Sequence, residues 1–250
     1  FAEFRYMRSA IWAVFEEHQA GHVLADDGAD PHAALLWNQD AYLVGTPHDG
    51  HFAHAAADLV RRWGIARRAY VYVFAANIGW LDIMERLLAA NGARRTAQTV
   101  FRFDADLWRL RHTHWREHTP PSYLVRPMDA EIAAQRQGIT TLWGSVEGFL
   151  AHGFGYVVMH NDGVITRAQT VFLGDGRTTI GVDTLPAFRR RGLARLATCA
   201  CVEHALTVGL IPEWHTYDNP ASEALAQDLG FVKEPDWPVL WMQGQVQPGT

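Results

Sequence analysis

The chain has 250 residues, of which 48% are hydrophobic and 20% charged, and a formal net charge of -5. That balance supports a sizeable core and excludes a disordered chain, and a mildly acidic chain with no basic block is a poor candidate for binding the phosphate backbone of nucleic acid. Its two cysteines, Cys199 and Cys201, point apart on a predicted helix and exclude a disulfide scaffold, no apolar run reaches the roughly 18 residues of a membrane span, and Phe1-Ala2-Glu3-Phe4-Arg5 does not read as a secretory leader, so a reducing, cytoplasmic setting is expected.

Phe4, Met7, Ile11 and Phe15 fall at helical spacing and predict an amphipathic helix over 3–19. The polar stretch 26–31 reads as loop. A short strand is predicted at 41–45, a helix at 51–63 and a strong strand at 69–74, rich in aromatic and β-branched residues. Trp80, Met84, Leu87 and Leu88 mark a helix over 80–90, which Asn91-Gly92 stops. A strand follows at 96–103. Residues 105–121 carry charge, three histidines and Pro120-Pro121, so the domain boundary is expected there.

The second half opens with a strand at 123–127 and helices near 129–138 and 143–152. Strands at 154–160, 164–173 and 178–184 are joined by hairpin turns at Asn161-Asp162-Gly163 and Gly174-Asp175-Gly176. A loop over 185–191 leads into a long helix, 192–208. A strand at 211–217, a helix at 221–229 and a strand at 231–242 complete the chain. This order predicts a mixed sheet of the α/β or α+β class.

One loop carries chemistry. Arg189-Arg190-Arg191-Gly192-Leu193-Ala194 follows a strand and opens a helix. A helix N-terminus exposes amides without partners and a partial positive charge, which suits an anion. Gly192 lets backbone approach a phosphate, Ala194 leaves room, and the arginines add cations. The hexamer lacks the Gly-Lys-Ser/Thr of nucleotide hydrolases and the three glycines of a dinucleotide fingerprint. Taken alone, it fits a surface arginine cluster with a capping glycine equally well.

The pattern Arg-x-x-Gly-x-Ala between a strand and a long helix resembles the acetyl-CoA signature of the GNAT superfamily of N-acetyltransferases. The segment 219–231 is similar to that superfamily's late helix, with Asn219, Ser222, Leu225, Gly230 and Phe231 in register. The resemblance covers about residues 122–245. Residues 149–156, Thr184-Leu185-Pro186 and Pro212-x-Trp214 further resemble the branch that includes zwittermicin-resistance-type acetyltransferases.

The resemblance implies acetyl-CoA as cofactor and an amine acceptor. Pyrophosphate would sit on the amides from Arg190 to Ala194. Pantetheine would run along Asp183, Thr184 and Leu185, and Arg189, Arg191, Gly192, Leu193, Asn219 and Ser222 complete the expected cofactor set. A primary amine would attack the thioester directly in a ternary complex. The usual thiolate acid, a tyrosine, is replaced here by Ala226, so Ser222, Tyr217 or His215 is expected to substitute. Asp183 is the first candidate base and Glu147 the second, each weighed against a plain structural role.

The expected fold class is therefore α/β, an α+β mixed sheet, with a GNAT fold over 119–250. A smaller α/β domain over 1–118 precedes it. Its β-α-β-α-β series echoes the second half, and the echo reads as a degenerate copy. Its equivalent loop, Thr46-Pro47-His48-Asp49-Gly50-His51, lacks arginine and is not expected to bind CoA. His112, His114 and His118 read as solvated linker residues, so no metal is expected. Trp143 and Trp214 flank the expected cleft and read as packing residues first. The leading expectation is acetylation of a small molecule such as an antibiotic or metabolite, and homodimerisation is compatible with it. A protein or peptide acceptor and a non-catalytic acyl-CoA-binding module are the alternatives. No nucleic acid or membrane partner is expected.

Overall fold

The computed structural model describes residues 1–46 and 50–245. The first elements are helix α1 (Arg8–Phe15), strands β1 (His22–Ala25), β2 (Ala33–Trp37) and β3 (Ala41–Gly45), and helix α2 (Gly50–Leu59). Strand β4 (Tyr70–Ala75), helix α3 (Ile78–Leu88), strand β5 (Arg94–Phe103) and helix α4 (Ala105–His112) follow. Next come strand β6 (Leu124–Pro127) and helices α5 (Ala130–Ala134), α6 (Gln137–Trp143) and α7 (Val146–His152). The chain ends with strands β7 (Gly155–His160), β8 (Gly163–Gly174) and β9 (Arg177–Thr184), helix α8 (Leu193–Thr207), strand β10 (Ile211–Thr216), helix α9 (Pro220–Asp228) and strands β11 (Phe231–Lys233) and β12 (Trp237–Gln243).

The chain divides into two compact units that interleave in sequence. The first holds Phe1–Tyr6, Gly21–Gln98 and the segment from Asp236; the second holds Met7–Ala20 and Thr99–Pro235. The expected boundary at 118/119 thus falls inside the second unit.

In the first unit the strand order is β1-β2-β3-β4-β12-β5. Only β3 and β4 run parallel, and the other neighbours are antiparallel. Alternation along the strands sends Leu35, Leu43, Val71 and Val73 to the face that buries Trp80, Leu81 and Met84 of α3. Tyr42 leaves the opposite face and stacks on Phe74, with ring centroids 5.0 Å apart.

The second unit runs from the later half of β5 through β10-β9-β8-β7-β6, with β11 also on β5. Here only β9 and β10 run parallel. Both predicted hairpin turns form, with φ of 46° and 62° at Asn161 and Asp162 and of 55° and 63° at Asp175 and Gly176. Two successive positive φ values match the right-handed twist of the flanking strands. Val158 packs under α8, and Val157 packs under α5–α7 on the other face. Helix α1 also packs on β8 and β9. Ser9 ties it down, donating its amide and hydroxyl to Glu213 at 3.2 and 2.6 Å.

Several expected elements change. The first helix covers only Arg8–Phe15, because Met7 enters the left-handed region. Residues 22–37 form a hairpin that periodicity missed. Its loop is held by Asp26, whose carboxylate accepts from the amides of Asp27, His32 and Ala33. Residues 105–112 are helical rather than linker. Asp104 caps them by accepting from Asp106 and Leu107, and Trp108 is buried. His112 is correspondingly not solvated: it is 5% exposed and bonds the carbonyl of Asp228 at 2.7 Å. The strand expected over 231–242 breaks at Glu234-Pro235-Asp236 into β11 and β12.

Candidate functional site

The parallel ladder between β9 and β10 is short. It pairs Ile211 with Arg177, Pro212 with Thr178 and Glu213 with Thr179, and stops there. Beyond that point β10 turns to β5, pairing Trp214 with Phe101 and Thr216 with Thr99. Strand β9 runs on to Thr184 held by β8 alone among the described strands. The two strands therefore splay, and one edge of β9 lies open.

The pairing of β9 with β8 decides which backbone groups face that opening. Leu185 donates its amide to Ile165 at 2.9 Å, so Leu185 and, by alternation, Asp183 bond toward β8. Val182 and Thr184 then turn their N–H and C=O groups toward the splay. Of Asp183, Thr184 and Leu185, only Thr184 presents backbone there, and Val182 joins it. The carbonyl of Thr184 accepts from Arg189 Nε at 3.1 Å.

The arginine loop follows directly. Arg190 has φ 65° and Gly192 φ 76°, so the backbone turns its amides inward as a nest. Among the described residues, no backbone acceptor meets the amides from Arg190 to Ala194. A Cβ built at Gly192 would meet nothing within 4 Å, so the glycine answers to its φ and to open space ahead. Arg191 folds back over Phe188 at 5.3 Å and bonds the carbonyl of Ala187. Between this loop and α9 lies a cleft of about 480 Å³, lined by Thr184, Phe188, Arg190, Gly192, Ala221 and Leu225 among others.

The remaining candidates separate by face. Asn219 caps α9 by accepting from the amide of Ser222 at 3.1 Å. The Ser222 hydroxyl accepts from Trp214 Nε1, also at 3.1 Å, on the side of the sheet that packs against α8 and Phe231. Alternation along β10 sends Glu213 and His215 to the other face, and Tyr217 comes just past the last residue of the strand, Thr216. Burial pushes the pKa of His215 down to about 4, so its imidazole is neutral at pH 7. Asp183 shares that face, because Thr179, two pairs back on β9, meets Ser9 of α1 there at 2.8 Å. Its carboxylate lies 2.7 Å from Arg136 Nη1, a residue sequence reading did not connect with it. Glu147 sits exposed on the first turn of α7. Its own backbone amide and the Ser145 hydroxyl hold its pKa below the usual value. Ala226 is fully buried in the core. Trp143 is buried too and packs on Phe149.

A family model for GNAT acetyltransferases matches residues 2–240. The chain belongs to the GNAT acetyltransferase family. The match takes in both compact units. An uncharacterised N-acetyltransferase of Bacillus subtilis, YdfB, is 21% identical over 247 residues, covering 95% of this chain and 91% of that protein. The crystal structure of a GCN5-related N-acetyltransferase-like protein from Streptococcus suis superposes with a TM-score of 0.75. It is 21% identical, over 96% of this chain and 95% of that one. A tandem GNAT protein from the clavulanic acid biosynthesis pathway gives a TM-score of 0.57 at 17% identity, over 92% and 85% of the two chains. The GNAT chain is thus an N-acetyltransferase by family, with a mixed, mostly antiparallel sheet. Among its described residues no helix is long and apolar enough to cross a membrane.

Proposed function

We propose that this GNAT protein transfers the acetyl group of acetyl-CoA to the primary amine of a small molecule, by direct attack in a ternary complex. The observation that carries the reading is the run of unpartnered amides from Arg190 to Ala194 at the N-terminus of α8, facing an open cleft. Those amides, the α8 dipole and the flanking arginines fit a pyrophosphate. The open edge at Val182 and Thr184 fits the amide groups of an extended pantetheine arm, which would add to the sheet like a strand. Acetyl-CoA supplies the activated acyl group when bound.

In the transfer the amine nitrogen bonds to the acyl carbon as the carbon–sulfur bond breaks, and the thiolate leaves with the electron pair. The ammonium must first lose one proton; as the amide forms the nitrogen releases a second, which balances the proton that the departing thiolate takes up. Asp183 lies at the strand end where the amine would approach and orients it. His215, held neutral, offers one hydrogen-bond donor and one acceptor. Its low basicity makes it a weak proton acceptor, so water carries the ammonium proton away.

The first unit is read as a non-catalytic, degenerate copy of the second. The series β3-α2-β4-α3-β5 supports this, and the pathway relative named above is itself described as a tandem GNAT protein. That relative's setting, with the resistance-type resemblance of residues 149–156, favours a metabolite acceptor. Screening primary amines for acetyl-CoA-dependent thiol release tests the reading. Turnover of a small amine is the expected result. Binding of acetyl-CoA without turnover of any amine would overturn it in favour of a binding module.

A further inference from the structure

On the face of the sheet away from α8, a cation stands beside the site without a counter-charge. Arg167 on β8 lies directly opposite Asp183 on β9. Their side chains therefore leave the sheet on the same face, from backbones about 5 Å apart. Yet Asp183 pairs with Arg136, from the turn between α5 and α6. Among the described residues, no carboxylate comes within ion-pair reach of Arg167. Its Nε is buried and makes no hydrogen bond, and the same holds for Nε of Arg136. Asp183 Oδ1, although at ion-pair distance from Arg136, and Gln169 Oε1, two positions along β8 on that face, are buried without a hydrogen-bond partner too, and as acceptors they call for a donor such as an ammonium. Two guanidiniums against one carboxylate leave a net positive charge partly out of water. Such a charge is costly to bury unless an anion completes it.

We propose that the acceptor is a small amine that also carries a carboxylate, held between Arg167 and Asp183. This rests on the acetyl-transfer reading above. A guanidinium grips a carboxylate through two parallel N–H···O bonds, and the buried Nε of Arg167 is one of the donors such a grip uses. The acceptor's amine lies against Asp183, one residue before Thr184, whose backbone faces the cleft. The cross-strand pair thus presents one cation and one anion side by side, the complement of an amino acid zwitterion.

The test compares each standard L-amino acid with its C-terminal amide, by thiol release and by calorimetry on the CoA-saturated protein. The acid members should exceed their amides in kcat/KM by tenfold or more, with the gap mainly in acceptor KM. Arg167→Gln should bring the acid-to-amide ratio close to one, and Arg167→Lys should restore part of it. The wild-type ratio requires no folded variant. Equal use of acids and amides, or a ratio that survives Arg167→Gln, overturns the inference while leaving the transferase reading intact. If no amine is acetylated, calorimetry decides: Arg167-dependent binding of amino acids upholds the inference, and absence of binding overturns it.

Discussion

Trp80 donates its indole N–H to the carbonyl of Gly45 at 3.0 Å and to that of Val44 at 3.1 Å. Those carbonyls end β3, the strand that corresponds to β9 in the tandem reading. The β3–β4 ladder is also extended past its last pair by the amide of Ala76, which donates to Leu43. Where the second unit splays, the first is zipped and its strand end is occupied. The loop that would match 189–194 includes Pro47, His48 and Asp49, which lie outside the described residues.

One acetyl-CoA per chain is therefore expected, from the second unit alone. Isothermal titration should give a stoichiometry of one. A value of two would contradict the assignment of the first unit as non-binding.

Tyr217 and Ser222 should part company on mutation. Tyr217 follows directly on the end of β10, whereas the Ser222 hydroxyl is engaged by Trp214 Nε1. General acid catalysis contributes on the order of 10²–10⁴-fold, so Tyr217→Phe should lower kcat by at least ~10² with little change in acetyl-CoA KM. Ser222→Ala leaves a buried indole N–H without its partner and should cost about 1–3 kcal/mol of stability, with a smaller effect on kcat. Steady-state kinetics and melting curves on both variants check this. A folded Tyr217→Phe with full turnover would remove the tyrosine from the chemistry.

The site loop was legible because its signal is local. Glycine and arginine spacing between a strand and a helix specifies the amide nest without tertiary knowledge, and the structure places Gly192 at φ 76°. The hairpins at 161–163 and 174–176 were legible for the same reason. What escaped depends on contacts distant in sequence. Ala33-Ala34-Leu35-Leu36-Trp37 is buried on both faces and so shows no alternation. The charge of 105–112 reads as linker, although Trp108 and His112 sink into the core and Asp104 provides the cap. The link between Arg136 and Asp183 is set by how the α5–α6 turn lies over β9, which no short window of sequence contains.

Asp40 makes the first unit's stability sensitive to pH. Its carboxylate accepts from the amide of Tyr72 at 2.9 Å, and burial pushes its pKa up from 3.8 to about 6. Between those values the folded chain keeps a proton that the unfolded chain releases, so stability falls as pH rises across that window and stays reduced above it. The penalty is on the order of 3 kcal/mol above pH 6. Asp40→Asn keeps an acceptor for Tyr72 and removes the titration. Its melting temperature should gain on that of the unmodified protein from pH 4 to pH 7. Parallel pH profiles for the two proteins would contradict the assignment.

Calorimetry of acetyl-CoA binding to Gly192→Glu asks whether the amides from Arg190 to Ala194 hold the acyl donor. The substitution forces a side chain into the open space before the nest, adds a negative charge where the pyrophosphate would lie, and strains a backbone at φ 76°. Affinity should fall by tenfold or more, which corresponds to about 1.4 kcal/mol, in a variant whose circular dichroism matches that of the unmodified protein. Unchanged affinity in such a folded variant would show that the acyl donor binds elsewhere.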